Sequence, residues 1–203
     1  MDTLFPILIA IIIVAVFGII LSIIVNAKSR VTTGAKRQKE RQVIVKEATK
    51  KLTSDPHNIN ALTELGNLYY KEQDWAKAYP LYTSLVSLSS SRMGINLAEV
   101  TLRHGICALN LAKPQEALKS LLDSRKLNPD TFDVNFYLGK ALVAQKEFEK
   151  SIPLLKKAIT INNDVPECYA VIGRAYYLSK KYKESLPYLR KALDTNPEDK
   201  ELL

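Results

Sequence analysis

Four glycines set the pitch of this chain. Gly105, Gly139 and Gly173 follow one another at intervals of 34 residues, and Gly66 precedes them by 39. Their neighbourhoods agree at fixed offsets. Leu65, His104, Leu138 or Ile172 stands just before each glycine, and Tyr69, Ala108, Leu142 or Tyr176 three after it. Twelve after come Ala78, Ala117, Ser151 and Ser185, and sixteen after come Tyr82, Leu121, Leu155 and Leu189. Pro129 and Pro197 stand 24 residues beyond the second and fourth glycines. The last two copies agree best, Glu149-Lys150-Ser151-Ile152-Pro153-Leu154-Leu155-Lys156-Lys157-Ala158 against Lys183-Glu184-Ser185-Leu186-Pro187-Tyr188-Leu189-Arg190-Lys191-Ala192. A period of this length marks small units that cannot bury their apolar faces alone and must stack on one another.

This arrangement resembles the tetratricopeptide repeat (TPR) family over about residues 59–203. The resemblance implies an all-α helical-hairpin solenoid of about four repeats, in which small residues at the glycine and the Ala/Ser position let helices A and B of each hairpin approach closely. It also implies a protein-binding role, with a concave groove lined by helix A side chains. Offsets from the glycines place Asn67, Tyr70, Arg103, Asn110, Phe136, Tyr137, Lys140, Arg174 and Tyr177 in that groove as the candidate contacts to a partner protein or peptide. Aromatic area would supply affinity, and the amides and charges would fix register. The carboxylate clamp of the co-chaperone branch is not matched, since Thr63, Asp133 and Tyr137 stand where Lys, Lys and Arg are needed.

Some positions depart from the pattern. His104 and Ser124 in the second unit replace an expected Leu and Ala, which makes its packing the least regular of the four. The five extra residues before it fall in Ser89-Ser90-Ser91-Arg92-Met93-Gly94, and Asn96 with Glu99 then reads as an N-cap restarting the helix. Pro80, Pro153 and Pro187 lie just past the first turn of each B helix, where mild bends are expected. Trp75 reads as a structural plug in an A-to-B turn.

The solenoid, assigned to 58–203, is expected to follow a single transmembrane helix. Residues 4–25 carry no charge and, as a helix rising about 1.5 Å per residue, span roughly 33 Å against a hydrocarbon core of about 30 Å. This gives a membrane anchor over 1–27. Val25-Asn26-Ala27 would serve as a leader cleavage site, but the run lacks a basic n-region and exceeds the length of an h-region. Lys28, Arg30, Lys36, Arg37, Lys39 and Arg41 follow the run, and basic flanks stay on the cytoplasmic side, so the N-terminus is expected outside and the repeats in the cytoplasm, as in a bacterial inner membrane. The same six residues are candidate contacts to anionic lipid. Residues 28–57 are thus a basic juxtamembrane linker and an N-terminal capping helix, with Val43, Ile44, Ala48 and Leu52 on one stripe.

Charge and composition exclude several functions. Of the formal +8, residues 28–51 carry +7, so the repeats are nearly balanced and lack the basic face that a phosphate backbone requires. Cys107 and Cys168 form no disulfide framework or zinc motif and read as small packers, while His57 and His104 are the only histidines. No nucleophile elbow, phosphate-binding loop or metal motif is present, so no catalytic, cofactor or metal residues are assigned. The expected function is a membrane-anchored interaction adaptor, with self-association at the C-terminal edge of the solenoid as a further expectation. The alternatives are an exported or periplasmic chaperone-like TPR subunit and an organellar import-receptor-like TPR protein.

Overall fold

The structure, a computed structural model, describes residues 35–89 and 95–195 together with Ser22. The remainder of the apolar run 4–25, Lys28, Arg30, residues 90–94 and residues 196–203 lie outside the described residues. Among those described, no helix is long and apolar enough to cross a membrane. The chain divides into two compact units, Met1–Thr49 and Lys50–Leu203.

Helix α1 covers 35–54. In the first unit it exposes Lys36, Arg37 and Lys39, half-buries Arg41 and buries Ala48. The expected apolar stripe is only partly inward: Val43 and Ile44 are exposed, and burial begins at Ala48.

Among the described residues of the second unit eight helices follow as four antiparallel pairs: α2 (Ile59–Lys71) with α3 (Trp75–Leu88), α4 (Leu97–Asn110) with α5 (Pro114–Leu127), α6 (Phe132–Ala144) with α7 (Phe148–Ile161), and α8 (Pro166–Leu178) with α9 (Tyr182–Thr195). Each helix packs on the next, and successive first helices also touch. Among the described residues there is no strand. Local chemistry fixes the starts. Asn58, Asp74, Asn96 and Thr131 accept the N–H three residues on, and Pro114 and Pro166 begin helices where no backbone donor is missed. The Asn96 side-chain amide also donates to the Glu99 carboxylate at 3.4 Å, a side-chain bond in place of the backbone N–H bond of a full capping box.

Every turn within a pair has the same main-chain form. Gln73, Ala112, Lys146 and Lys180, each seven residues after its glycine, take φ of 56°, 56°, 63° and 62°. The next N–H then reaches back five residues, as in Asp74 to Tyr69 at 2.9 Å and Glu147 to Leu142 at 2.8 Å. This double-bonded αL stop satisfies the last carbonyls of the helix. Glycine lies elsewhere, at the crossing of the two helices. A Cβ on Gly105, Gly139 or Gly173 would meet Leu121, Leu155 or Leu189 at 2.6, 2.5 and 2.5 Å. Leucine therefore plugs a notch that only glycine leaves open. Helices α3, α7 and α9 continue through Pro80, Pro153 and Pro187.

Buried clusters run between pairs as well as within them. Leu62, Tyr82, Leu85 and Leu88 join Val100 and Cys107 across the first junction, with Leu52 packed on them. Leu121 joins Leu138 and Ala141, and Phe136 and Leu155 join Cys168 and Ile172. The second pair is as tightly notched as the third and fourth. Its polar substitutions are paired: His104 bonds Ser120 at 2.7 Å and Thr83 at 3.1 Å, and Ser124 donates to the Ala98 carbonyl at 2.9 Å. Trp75 is the first residue of α3 rather than part of the turn.

Candidate functional site

The first helices of the pairs share one face, and its polar centre is built where α2, α3 and α4 meet. Asn67 Oδ1 accepts from the Tyr82 hydroxyl at 2.8 Å and from Arg103 Nη1. Arg103 also donates to the Tyr82 oxygen at 3.3 Å, pairs with Glu99 one turn earlier, and lies 5.3 Å over the Tyr70 ring. Tyr70 in turn stands edge-on to Trp75 at 5.4 Å and to Tyr82 at 6.1 Å. A cleft of about 170 Å³ opens on this cluster, walled by Ile59, Ile95 and Val100. Thus one guanidinium links side chains from three helices, oriented by an amide, a carboxylate and two rings.

Burial pushes the Tyr70 and Tyr82 phenols up, and Arg103 works against it at both. Burial likewise raises Tyr137, helped by Glu167 and Asp133. All three remain protonated at neutral pH and keep their hydroxyls as donors. Farther along, Lys140 pairs with Glu167 of α8 at 2.5 Å and lies 5.7 Å over the Phe136 ring.

The remaining candidates are placed differently. Asn110 is exposed at the end of α4, its side chain spent on the Ile106 carbonyl. Arg174 is exposed on α8, and Tyr177 is exposed with its ring 5.4 Å from Tyr182. Phe136 is corrected: it is 2% exposed and lies in the cluster with Cys168 and Ile172, where α8 covers it. Its ring stacks on Phe132 at 5.4 Å and is no direct contact for a ligand. Tyr82 is the residue that sequence reasoning missed. It occupies the position filled by leucine in the other three copies, and that departure was the available signal.

Burial pushes the Cys107 and Cys168 thiols up to about 12, so neither is a nucleophile at neutral pH. Among the described residues no cluster of His, Cys, Asp or Glu could hold a metal ion.

Tetratricopeptide repeat models match residues 61–92, 102–166 and 166–199, in register with the helical pairs. The chain belongs to the tetratricopeptide repeat family. Solved TPR structures share its fold. A crystal structure of MamA matches with a TM-score of 0.66 at 23% identity, covering 82% of this chain and 88% of that one. MamA from Desulfovibrio magneticus RS-1 matches with a TM-score of 0.66 at 15% identity, covering 81% and 90%. YrrB, described as a TPR protein with an unusual peptide-binding site, matches with a TM-score of 0.66 at 19% identity over 81% of each chain. The TPR repeats make this chain an interaction scaffold.

Proposed function

We propose that this TPR protein is a membrane-anchored adaptor that binds a partner protein or extended peptide along the face formed by its first helices. The observation that carries this reading is the Asn67, Tyr82 and Arg103 network under the Tyr70 ring, which holds donors and aromatic surface in a fixed arrangement at an open cleft. Preorganised groups of this kind lower the ordering cost of binding. Tyr137 and Lys140 extend the surface along α6, and Arg174 and Tyr177 along α8. YrrB, a TPR protein of similar fold with a peptide-binding site, supports the peptide reading.

The anchor is residues 1–27 and the juxtamembrane segment residues 28–57, with the repeats of 58–203 on the cytoplasmic side. The support is the uncharged stretch 4–25 and the six basic residues after it, Lys28, Arg30, Lys36, Arg37, Lys39 and Arg41, which would also meet anionic headgroups. A tether confines the binding face near the bilayer and raises the effective concentration of membrane-bound partners.

The test uses the full chain in intact membranes. A photocrosslinker at Tyr137 is expected to capture a discrete partner, and Tyr70→Ala with Tyr177→Ala to abolish that capture. An unchanged partner pattern would reject the face. Alkaline extraction tests the anchor separately: release into the soluble fraction, or a mature chain beginning at Lys28, would favour the exported alternative.

A further inference from the structure

The opposite side of the stack holds a groove that the reading above does not use. About 510 Å³ in volume, it lies where α5 meets α6 and α7, lined by Leu118, Leu122, Leu138, Leu142, Pro153 and Leu154, with Arg125, Glu147 and Lys150 at its rim. The chain itself shows what fills such a junction. At the preceding one, Tyr79 stacks on His104 at 4.7 Å, Lys113 lies 4.4 Å over the Tyr79 ring, and the Tyr79 hydroxyl bonds Glu116. At the following one, Tyr176 stacks on Tyr188 at 5.6 Å, with Lys156 5.5 Å over Tyr176. Both neighbours therefore hold a stacked ring beneath a lysine ammonium. In the middle junction the ring positions are aliphatic: Leu118 and Leu138 stand where Tyr79 and His104 do one unit earlier, Leu142 and Leu154 stand where Tyr176 and Tyr188 do one unit later, and Glu147 and Leu122 take the places of Lys113 and Lys156.

We propose that this groove takes an aromatic side chain from a partner protein, on a segment that carries an acidic residue beside the ring. The ring supplies what the two flanking junctions already contain. The acid follows from the rim. Glu116, which accepts the Tyr79 hydroxyl, is replaced here by Lys150, which is paired with Glu147, while Arg125 at the same rim has no acidic partner among the described residues and is the cation that an acid would meet. Leu122, 40% exposed, is the apolar lip over which the ring enters. An anchor of this type, buried in an apolar slot with a polar rim, dominates the energetics of small interfaces. The groove is independent of the first-helix face, and either site can fail without the other.

Short random peptides displayed on phage are selected on the full chain in detergent micelles. In parallel they are selected on Leu142→Tyr with Leu154→Tyr, which installs the ring pair of the following junction. The wild type should enrich peptides with Tyr, Phe or Trp next to Asp or Glu. A labelled synthetic copy should bind about tenfold or more weakly to the filled variant. Leu122→Lys, which restores the lysine found at that position one unit later, should do the same, and it decides the matter if the double variant fails to fold. Arg125→Ala should weaken binding several-fold, less so at high salt. Three results would overturn the proposal: enriched peptides without an aromatic, binding that ignores the filling, and no peptide that discriminates the two proteins. Sedimentation showing that the wild type self-associates while the filled variant does not would give the groove to a second copy and also overturn it.

Discussion

The first and third helical pairs use the same glycine for different ends. In the third, Leu155 presses into the notch at Gly139, where an added Cβ would lie 2.5 Å from its Cγ. In the first, Tyr82 lies beside Gly66, and an added Cβ would meet its ring at an ordinary 3.4 Å. Its hydroxyl is carried past the crossing to Asn67 and Arg103. One pair spends the position on close packing and the other on a polar floor. A repeat therefore holds its pitch while one unit diverts a core position to the face formed by its first helices.

The largest effect should come from closing the notch. Gly139→Ala or Gly173→Ala should cost about 1–3 kcal/mol by overpacking, read as a fall in thermal midpoint of about 2–4 °C per kcal/mol. Gly66→Ala should be neutral or gain up to about 1 kcal/mol, because it removes a helix-interior glycine without a clash. Equal losses at all three sites would erase the distinction between the pairs.

Removing the hydroxyl tests the other half of the contrast. Tyr82→Phe should destabilise by about 1 kcal/mol in denaturant titration, since Asn67 and Arg103 each lose a partner. A feature common to both pairs should respond alike in both. Gln73→Gly and Lys146→Gly should each stabilise by about 0.5–1 kcal/mol, because both residues hold positive φ.

The smallest effect concerns His104 at the junction after the first pair. Burial lowers its pKa, Glu116 opposes the shift and Lys113 adds to it. Thr83 donates to the Tyr79 carbonyl at 2.9 Å and so accepts from Nε2–H, which leaves Nδ1 to accept from Ser120. The unfolded state binds the proton more readily than the folded one. Stability from this group is complete above about pH 6.5 and declines as pH falls toward the lowered value. Urea midpoints should drop on going from neutral to mildly acidic pH, and His104→Gln should flatten the part of that slope due to His104.

Most of the fold was legible in the sequence because inward positions recur at fixed offsets, as Leu121, Leu155 and Leu189 do behind their glycines. The cap at Asn96 was legible for a local reason, since its partner Glu99 lies within one turn. The seams were harder. Phe136 looked like groove lining, yet its burial is decided by α8, which lies a whole unit onward. Val43 and Ile44 shared a stripe with Ala48, and helical spacing alone does not say which residues of a stripe are buried. At the candidate site, Asn67, Tyr70 and Arg103 were named individually. What spacing did not reveal was that one tyrosine from the second helix of the pair would tie them together.

The αL stop within each pair is made by main-chain bonds and is held in turn by Gln, Ala, Lys and Lys. Geometry inherited through the backbone is insensitive to spelling. Three kinds of residue leave the same main-chain stop in place in all four pairs.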